Sequence, residues 1–454
     1  MLYHMIRALR GCLVCLAVLV SACASRNILE KPLSQWTPEV DLRTAEQLAG
    51  DRSQEMLVLV AFSGGGTRAA AFAYGVLQEL AATEVLTASG SRTLLHEVDT
   101  ISSVSGGSFT SAYYGLYGDR IFEDFEERFL RKDVQGHIAL QVGRPKNWFR
   151  LMRGTFGRSD LAAEYYSKHI FDGATFTDLR RPSAPLVVIN ATDLGTGMRF
   201  AFAQEYFDLI CADLGDYPVS RAVASSSAVP GLLSAITLKN YAGSCGFEPP
   251  TWLAEAEQDD TVTSRKMEAR GLEGYLDREK RPWLHLVDGG ISDNLGLRCF
   301  YNTVSLLGDP RFAFQKMGHP NVRRILIISV NAHARHSRDW ALKRKSPSLL
   351  EVVGSVSGVQ IDRYSLDTID IVRTTYQRLA EQISTPERPV TFQFVEVCFD
   401  AVQDDTERSQ LNKIGTSFNI KDEQVDLLIS AGRKLLRGSS EFQAFLAGTQ
   451  GRGE

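Results

Sequence analysis

The stretch Met56-Leu57-Val58-Leu59-Val60-Ala61-Phe62-Ser63-Gly64-Gly65-Gly66-Thr67-Arg68 decides the fold. Its first part is an unbroken apolar run of strand length, the pattern of a strand buried on both faces. Three consecutive glycines follow, and Ala69 to Leu80 reads as a helix. Strand, glycine turn and helix make the opening unit of a parallel α/β sheet. At the start of such a helix several N–H groups lack an intrahelical acceptor, so Gly64, Gly65 and Gly66 offer a cradle for an anion.

Outward from this stretch the pattern repeats. Glu97 to Val104 reads as a second strand, with a helix from Ser108 and another over Phe122 to Arg131. Leu186 to Ala191, Leu284 to Asp288 and Ile325 to Val330 are further buried strands, and Arg199 to Phe202 pairs nearby. The expected fold is a three-layer α/β/α arrangement with a mostly parallel central sheet and a helical C-terminal extension. The main domain is placed at residues 55–335, with a mainly helical region at 336–454 packed on it. Within that region Leu349 to Gln382 reads as helix and Thr391 to Cys398 as an added strand. Asn419 is the expected N-cap of a last helix, which buries Val425, Leu428, Gly432, Leu435 and Leu436 and ends at Gly438. Residues 254–281 are highly charged and read as a surface insertion, passive or a lid.

The chain has 454 residues, 44% hydrophobic and 23% charged, which are ordinary globular values. A net charge of −4 and a pI near 6.1 favour no nucleic-acid partner, and no basic stripe interleaves with aromatics. At the N-terminus, His4, Arg7 and Arg10 precede an apolar run from Gly11 to Val20. The run is about half the ~20 residues of a spanning helix and fits a signal sequence. Val20-Ser21-Ala22-Cys23 is similar to a bacterial lipobox. Residues 1–22 are then a lipoprotein signal peptide, Cys23 the lipid-modified residue, and 23–54 a tether. Ala24, where an aspartate would retain the protein inside, points to the outer membrane facing the periplasm. Ordinary signal cleavage or an uncleaved anchor are the rivals. Cys211, Cys245, Cys299 and Cys398 remain in the mature part, as two disulfides or as buried thiols.

Two more glycine-bearing segments carry chemistry. In Ser103-Val104-Ser105-Gly106-Gly107 the serine follows a strand and precedes a helix, as at a nucleophile elbow. Small neighbours let the backbone close, and the Gly106 N–H would face a developing oxyanion. Asp288-Gly289-Gly290 places a carboxylate at the C-terminal end of a strand, on the functional edge of a parallel sheet. His285 is three positions away in that strand and faces the other side, so a serine–aspartate pair without histidine is the better reading. A dinucleotide site, although Gly64-Gly65-Gly66-Thr67-Arg68-Ala69 satisfies G-x-G-x-x-A, lacks the acid at the end of its second strand. No Lys-Ser or Lys-Thr follows the glycines, which excludes a Walker A loop. Arg68 either orients the loop or faces solvent.

Gly64-Gly65-Gly66-x-Arg68, the Ser105 elbow and Asp288-Gly289-Gly290, in that order, resemble the patatin-like phospholipase family. Phe171 to Leu179, Asn190 to Leu194, Ala224 to Gly231 and Asp288 to Asn294 are similar to family blocks. The similarity spans about residues 55 to 335, and Thr416 to Leu446 looks like the tail of bacterial members. The resemblance implies that Ser105 is the nucleophile and Asp288 its base. Gly64, Gly65 and Gly66 would form the oxyanion hole, with Arg68, Gly107, Gly289 and Gly290 supporting the motifs. It also implies a phospholipid or other acyl-ester substrate, no metal and no cofactor. The chain departs from the pattern at Ser103, where a glycine is usual, and at Gly296, where proline is common. The expected activity is lipid acyl hydrolysis through an acyl-serine, held at a membrane surface by the lipid anchor. An acyltransferase on the same scaffold, or a non-catalytic lipid-binding lipoprotein, are the alternatives. Oligomeric state is not legible.

Overall fold

The computed structural model describes residues 30–37, 50–258, 263–335, 344, 346 and 349–450, with backbone alone for 349–357 and 450. The expected signal peptide, Cys23 and most of the expected tether lie outside these residues. The central sheet uses eight strands. They are β1 (Met56–Phe62), β2 (Val98–Val104), β3 (Leu186–Asp193), β4 (Arg199–Phe202), β5 (Ile236–Lys239), β6 (Trp283–Asp288), β7 (Arg324–Asn331) and β8 (Thr391–Cys398). Every residue of β1 is buried, so both of its faces are covered. Strands β8, β7, β1, β2 and β3 lie side by side and run parallel.

The helices needed below are α1 (Gly66–Ala82), α2 (Gly106–Tyr117), α3 (Val134–Gly143), α4 (Pro145–Leu151) and α5 (Arg158–His169). They continue with α6 (Val219–Ser226), α7 (Thr251–Glu257), α8 (Ser264–Glu273), α9 (Leu349–Ile383) and α10 (Asp422–Gly438). The layers and the mixed, mostly parallel sheet are those expected.

The remaining strands break the parallel pattern, and this positions the site. Strand β4 covers one edge of β3 antiparallel, with Ile189 opposite Phe202 and Thr192 opposite Arg199. The other edge of β3 pairs with β2 as far as Val104 opposite Asn190. Beyond that point β6 takes over antiparallel, with Asp288 opposite Ala191 and Leu286 opposite Asp193. A strand has only two edges, so β2 and β6 share one and meet end to end. Asp288 is therefore not at the tip of a parallel strand, as the sequence suggested. It reaches the same rim from the opposite direction.

The described residues of the charged insertion, 254–258 and 263–281, are ordered and packed. Helix α7 runs into them, α8 and a short turn at Gly274–Leu276 form within them, and together these bury Ala256, Ala269, Leu272 and Tyr275. The Tyr275 hydroxyl donates to Asp193 Oδ2 at 3.0 Å, and Arg281 pairs with the same buried carboxylate. The few apolar residues sit at helical spacing, so a sparse pattern still buries one face. The described part of the tether is docked as well. Lys31–Pro32 pairs with Ala212–Asp213, and Trp36 stacks edge-on against Phe247. Helix α10 begins at Asp422 with Lys421, not Asn419, as N-cap. The Lys421 N–H donates to Gln424 Oε1, which fixes the start there, while the Asn419 N–H is taken by Ser417 Oγ. One disulfide joins Cys211 and Cys245, and Cys299 and Cys398 are free thiols. No helix among the described residues is long and apolar enough to cross a membrane.

Candidate active site

Ser105 is the residue between β2 and α2. Its backbone has φ 49 and ψ −118. A serine in the left-handed half of the map is strained, at a typical cost of about 1–3 kcal/mol, and persists only where its surroundings hold it. The elbow therefore forms although Ser103 replaces the usual glycine. Ser103 lies within β2 without positive φ, and its hydroxyl accepts a 2.6 Å hydrogen bond from Ser111. No bare Cα is needed there.

Ser226, the last residue of α6, holds the elbow in place. Its Oγ accepts the Ser105 N–H at 2.8 Å and donates to the Asn190 carbonyl at 2.6 Å. Its own carbonyl accepts the Gly289 N–H at 3.1 Å. One side chain and its peptide thus join the elbow, β3 and the Asp-Gly-Gly turn. Asn190 completes the support, with Nδ2 bonded to Ser102 Oγ and the Ser103 carbonyl and Oδ1 bonded to buried Arg199. Ser226 and Asn190 carried only family-block similarity in the sequence. The Ser225-Ser226-Ser227 run was the signal, since buried hydroxyls need partners.

Asp288 is 8% exposed. Its N–H is bound by the Ala228 carbonyl, and its own carbonyl accepts from Thr192 Oγ1. Oδ1 accepts the Gly290 N–H at 2.8 Å, whereas Oδ2 is buried without a hydrogen bond. Burial pushes this carboxyl up to about 6, against the opposing pull of the Gly290 N–H and the Ser105 hydroxyl. The Ser105 hydroxyl is near enough to favour the charged form, yet makes no hydrogen bond to Oδ2. Such contacts are often long in a site without substrate. His285 points elsewhere, with its ring bonded to Thr237 Oγ1 at 2.9 Å. No histidine among the described residues hydrogen-bonds Ser105 or Asp288.

The glycine cradle abuts the elbow. A Cβ on Gly106 would lie 2.0 Å from the Gly66 carbonyl oxygen, so only glycine permits this approach. The Gly64 N–H, expected as an oxyanion donor, is engaged by the Asn294 carbonyl at 3.0 Å. The N–H groups of Gly65, Gly66 and Gly106 take no acceptor among the described residues. Of the four expected donors Gly64 is thus taken, because Asn294, at the end of the short helix Gly290–Asp293, reaches back over it. Arg68 is buried, not solvent-facing. It donates to the carbonyls of Ala332 and Ile414 at 2.8 and 2.6 Å, tying the loop to the end of β7 and to the C-terminal region. Burial with no carboxylate beside it lowers its pKa to about 10. Gly296 has φ +74, which proline cannot adopt, so its departure from the family pattern is a local change of backbone.

The family model described as patatin-like phospholipase matches residues 60–301, more than half of the chain. Among solved structures, human GIVD cytosolic phospholipase A2 is similar at 13% identity and a TM-score of 0.45, covering 93% of this chain and 69% of that one. The same human protein in complex with methyl gamma-linolenyl fluorophosphonate gives 14% identity, coverage of 93% and 66%, and a TM-score of 0.41. The chain spans about two thirds of the length of these proteins. No curated protein matches it in sequence.

Proposed function

The chain belongs to the patatin-like phospholipase family, and from that premise we propose that it cleaves fatty-acyl esters of membrane lipids with Ser105 as nucleophile and Asp288 as base. Family membership supports lipid acyl hydrolysis; the two residues and their roles are this proposal. The observation that carries it is the pairing of a strained Ser105 with the unpartnered Oδ2 of Asp288, beside three N–H groups without acceptors.

In this reading Asp288 Oδ2 takes the Ser105 proton while Oγ attacks the ester carbonyl carbon. Negative charge moves to the carbonyl oxygen, where the N–H groups of Gly65, Gly66 and Gly106 receive it. Each such donor is worth about 3–4 kcal/mol in other enzymes. The intermediate collapses to an acyl-serine, and the leaving alcohol takes the proton back from Asp288. Water then repeats the sequence, deprotonated by Asp288, and frees the fatty acid and Ser105. A base near pH 6 is ionised at neutral pH yet basic enough to share a proton with an attacking hydroxyl.

Fluorophosphonate labelling followed by peptide mapping tests the reading. The label is expected on Ser105, and to be lost in Ser105→Ala along with ester hydrolysis. A label elsewhere, or hydrolysis that survives Ser105→Ala, overturns it. An envelope location with Cys23 as lipid anchor is part of the same proposal. The Cys211–Cys245 disulfide supports it, since such bonds persist in oxidising compartments.

A further inference from the structure

Helices α3 and α4 carry a surface that the catalytic reading does not use. Phe149 and Met152 are 71% and 79% exposed, and Leu140 and Trp148 are also more than half exposed. Trp148, Phe149 and Met152 fall at i, i+1 and i+4, on one side of a helical segment. Trp148 is held in place by hydrogen bonding. The Trp148 indole N–H donates to the Val142 carbonyl at 3.1 Å, and Asn147 Nδ2 donates to the Gln141 carbonyl at 2.7 Å. The hairpin of α3 and α4 is thus closed by hydrogen bonds while its apolar side faces out. Solitary exposed apolar residues are ordinary; a grouped set on one short segment marks a contact surface.

Charge selects the partner. Residues 134–159 contain no aspartate or glutamate but do contain Arg144, Lys146, Arg150, Arg153 and Arg158. Arg150 is paired with Glu164, and Arg158 donates to the Gly231 carbonyl. Arg144 and Lys146 are exposed, and no acidic side chain among the described residues pairs with either. This local excess of positive charge stands on a chain whose net charge is −4. A second copy docking through the same patch would oppose like charges. A helix of seven residues is also only ~10 Å long, little for a protein partner that needs about 800 Å² per side. Three apolar side chains flanked by cations do suit the boundary of an anionic bilayer, where aromatic rings and basic ends both find partners.

The patch connects to the site. Arg158 Nη2 reaches the Gly231 carbonyl at 3.0 Å, and Ser159 N–H meets Ser234 Oγ at 3.2 Å. The loop they grip begins just after Ala228, whose carbonyl holds the Asp288 N–H, and it exposes Leu232. We propose that Trp148, Phe149 and Met152, flanked by Arg144 and Lys146, form a docking surface for anionic phospholipid bilayers. It seats the loop beside Asp288 at the membrane. Its purpose rests on the lipid acyl hydrolase reading, but docking is measured separately.

The test uses the full chain carrying Cys23→Ser, so that no acyl anchor contributes. Cosedimentation is measured with vesicles of equal parts phosphatidylcholine and phosphatidylglycerol, and with phosphatidylcholine alone. Phe149→Ser with Met152→Ser is expected to weaken binding about tenfold or more, with p-nitrophenyl butyrate hydrolysis and the melting temperature unchanged. Arg144→Glu with Lys146→Glu is expected to weaken binding only to the anionic vesicles and to remove its salt dependence. Unchanged binding in both variants overturns the inference. So does a parent chain that hydrolyses the soluble ester but binds neither vesicle. A concentration-dependent dimer lost in the apolar variant would assign the patch to a second copy instead and also overturn it. Failure of the parent to cleave the soluble ester counts against the catalytic reading alone.

Discussion

Asp288 has two carboxylate oxygens with different fates, and the difference has thermodynamic consequences. Oδ1 is hydrogen-bonded while Oδ2 is buried and bare, so burial dominates and the folded pKa lies near 6. A carboxyl raised on folding holds its proton more tightly in the native state. Stability therefore falls as pH rises from the unfolded value near 4 to the folded value near 6, and the deficit persists above it. Asp288→Asn is expected to abolish ester hydrolysis and yet stabilise the protein at pH 7, by on the order of 2–3 kcal/mol at most. Urea unfolding of both proteins at pH 7 checks this, and a less stable variant would refute the assignment of burial as the cause. The catalytic counterpart is a kcat/KM profile that loses activity as pH drops through about 6. At Ser105 the strain predicts its own signature. Glycine tolerates φ 49 and alanine does not, so Ser105→Gly should be about 1 kcal/mol more stable than Ser105→Ala. Equal melting temperatures would mean the elbow relaxes on substitution.

Elements bring these residues together. The end of β2 and the end of β6 meet on one edge of β3, and Ser226 at the end of α6 ties them through three hydrogen bonds. Ser226→Ala leaves the buried Ser105 N–H without its acceptor, at a cost of about 1–3 kcal/mol. Denaturant midpoints should record that loss, and kcat should fall more than KM changes, because the elbow is displaced while the lipid-facing surface is untouched. At the crossing of α1 and α10 the two helices nearly touch. A Cβ on Gly432 would lie 2.5 Å from the Phe72 carbonyl oxygen, and one on Gly75 2.2 Å from that of Ile429. Periodicity placed Gly432 on the buried face of α10 but could not show how close its neighbour would come.

Across the whole molecule, the Cys211–Cys245 bond closes a loop near the docked segment at residues 30–37, whose Leu33 and Trp36 N–H groups bind the carbonyls of those two cysteines. Cys245→Ser is expected to lower stability by about 2–4 kcal/mol under oxidising conditions and to make little difference after reduction. A deficit of the same size in reductant would point to lost packing instead. Cys23→Ser should move the protein from the membrane fraction to the soluble one, and unchanged fractionation would contradict lipidation at that position.

What could be read in the chain alone was local or ordered along it. An apolar run followed by glycines and a helix is a contiguous pattern, and the order of the glycine cradle, the serine elbow and Asp-Gly-Gly identifies the family without any distance. The docking of the segment 254–281 is not legible in its sequence, because four buried side chains among many charges make a weak signal. Other facts depend on partners remote in sequence. The reversed approach of β6, the capture of the Gly64 N–H by Asn294, the bare oxygen of Asp288 and the choice of Cys245 for Cys211 are contacts between segments tens to hundreds of residues apart. Only packing in three dimensions decides such contacts, because burial and hydrogen-bond satisfaction are settled by neighbours in space.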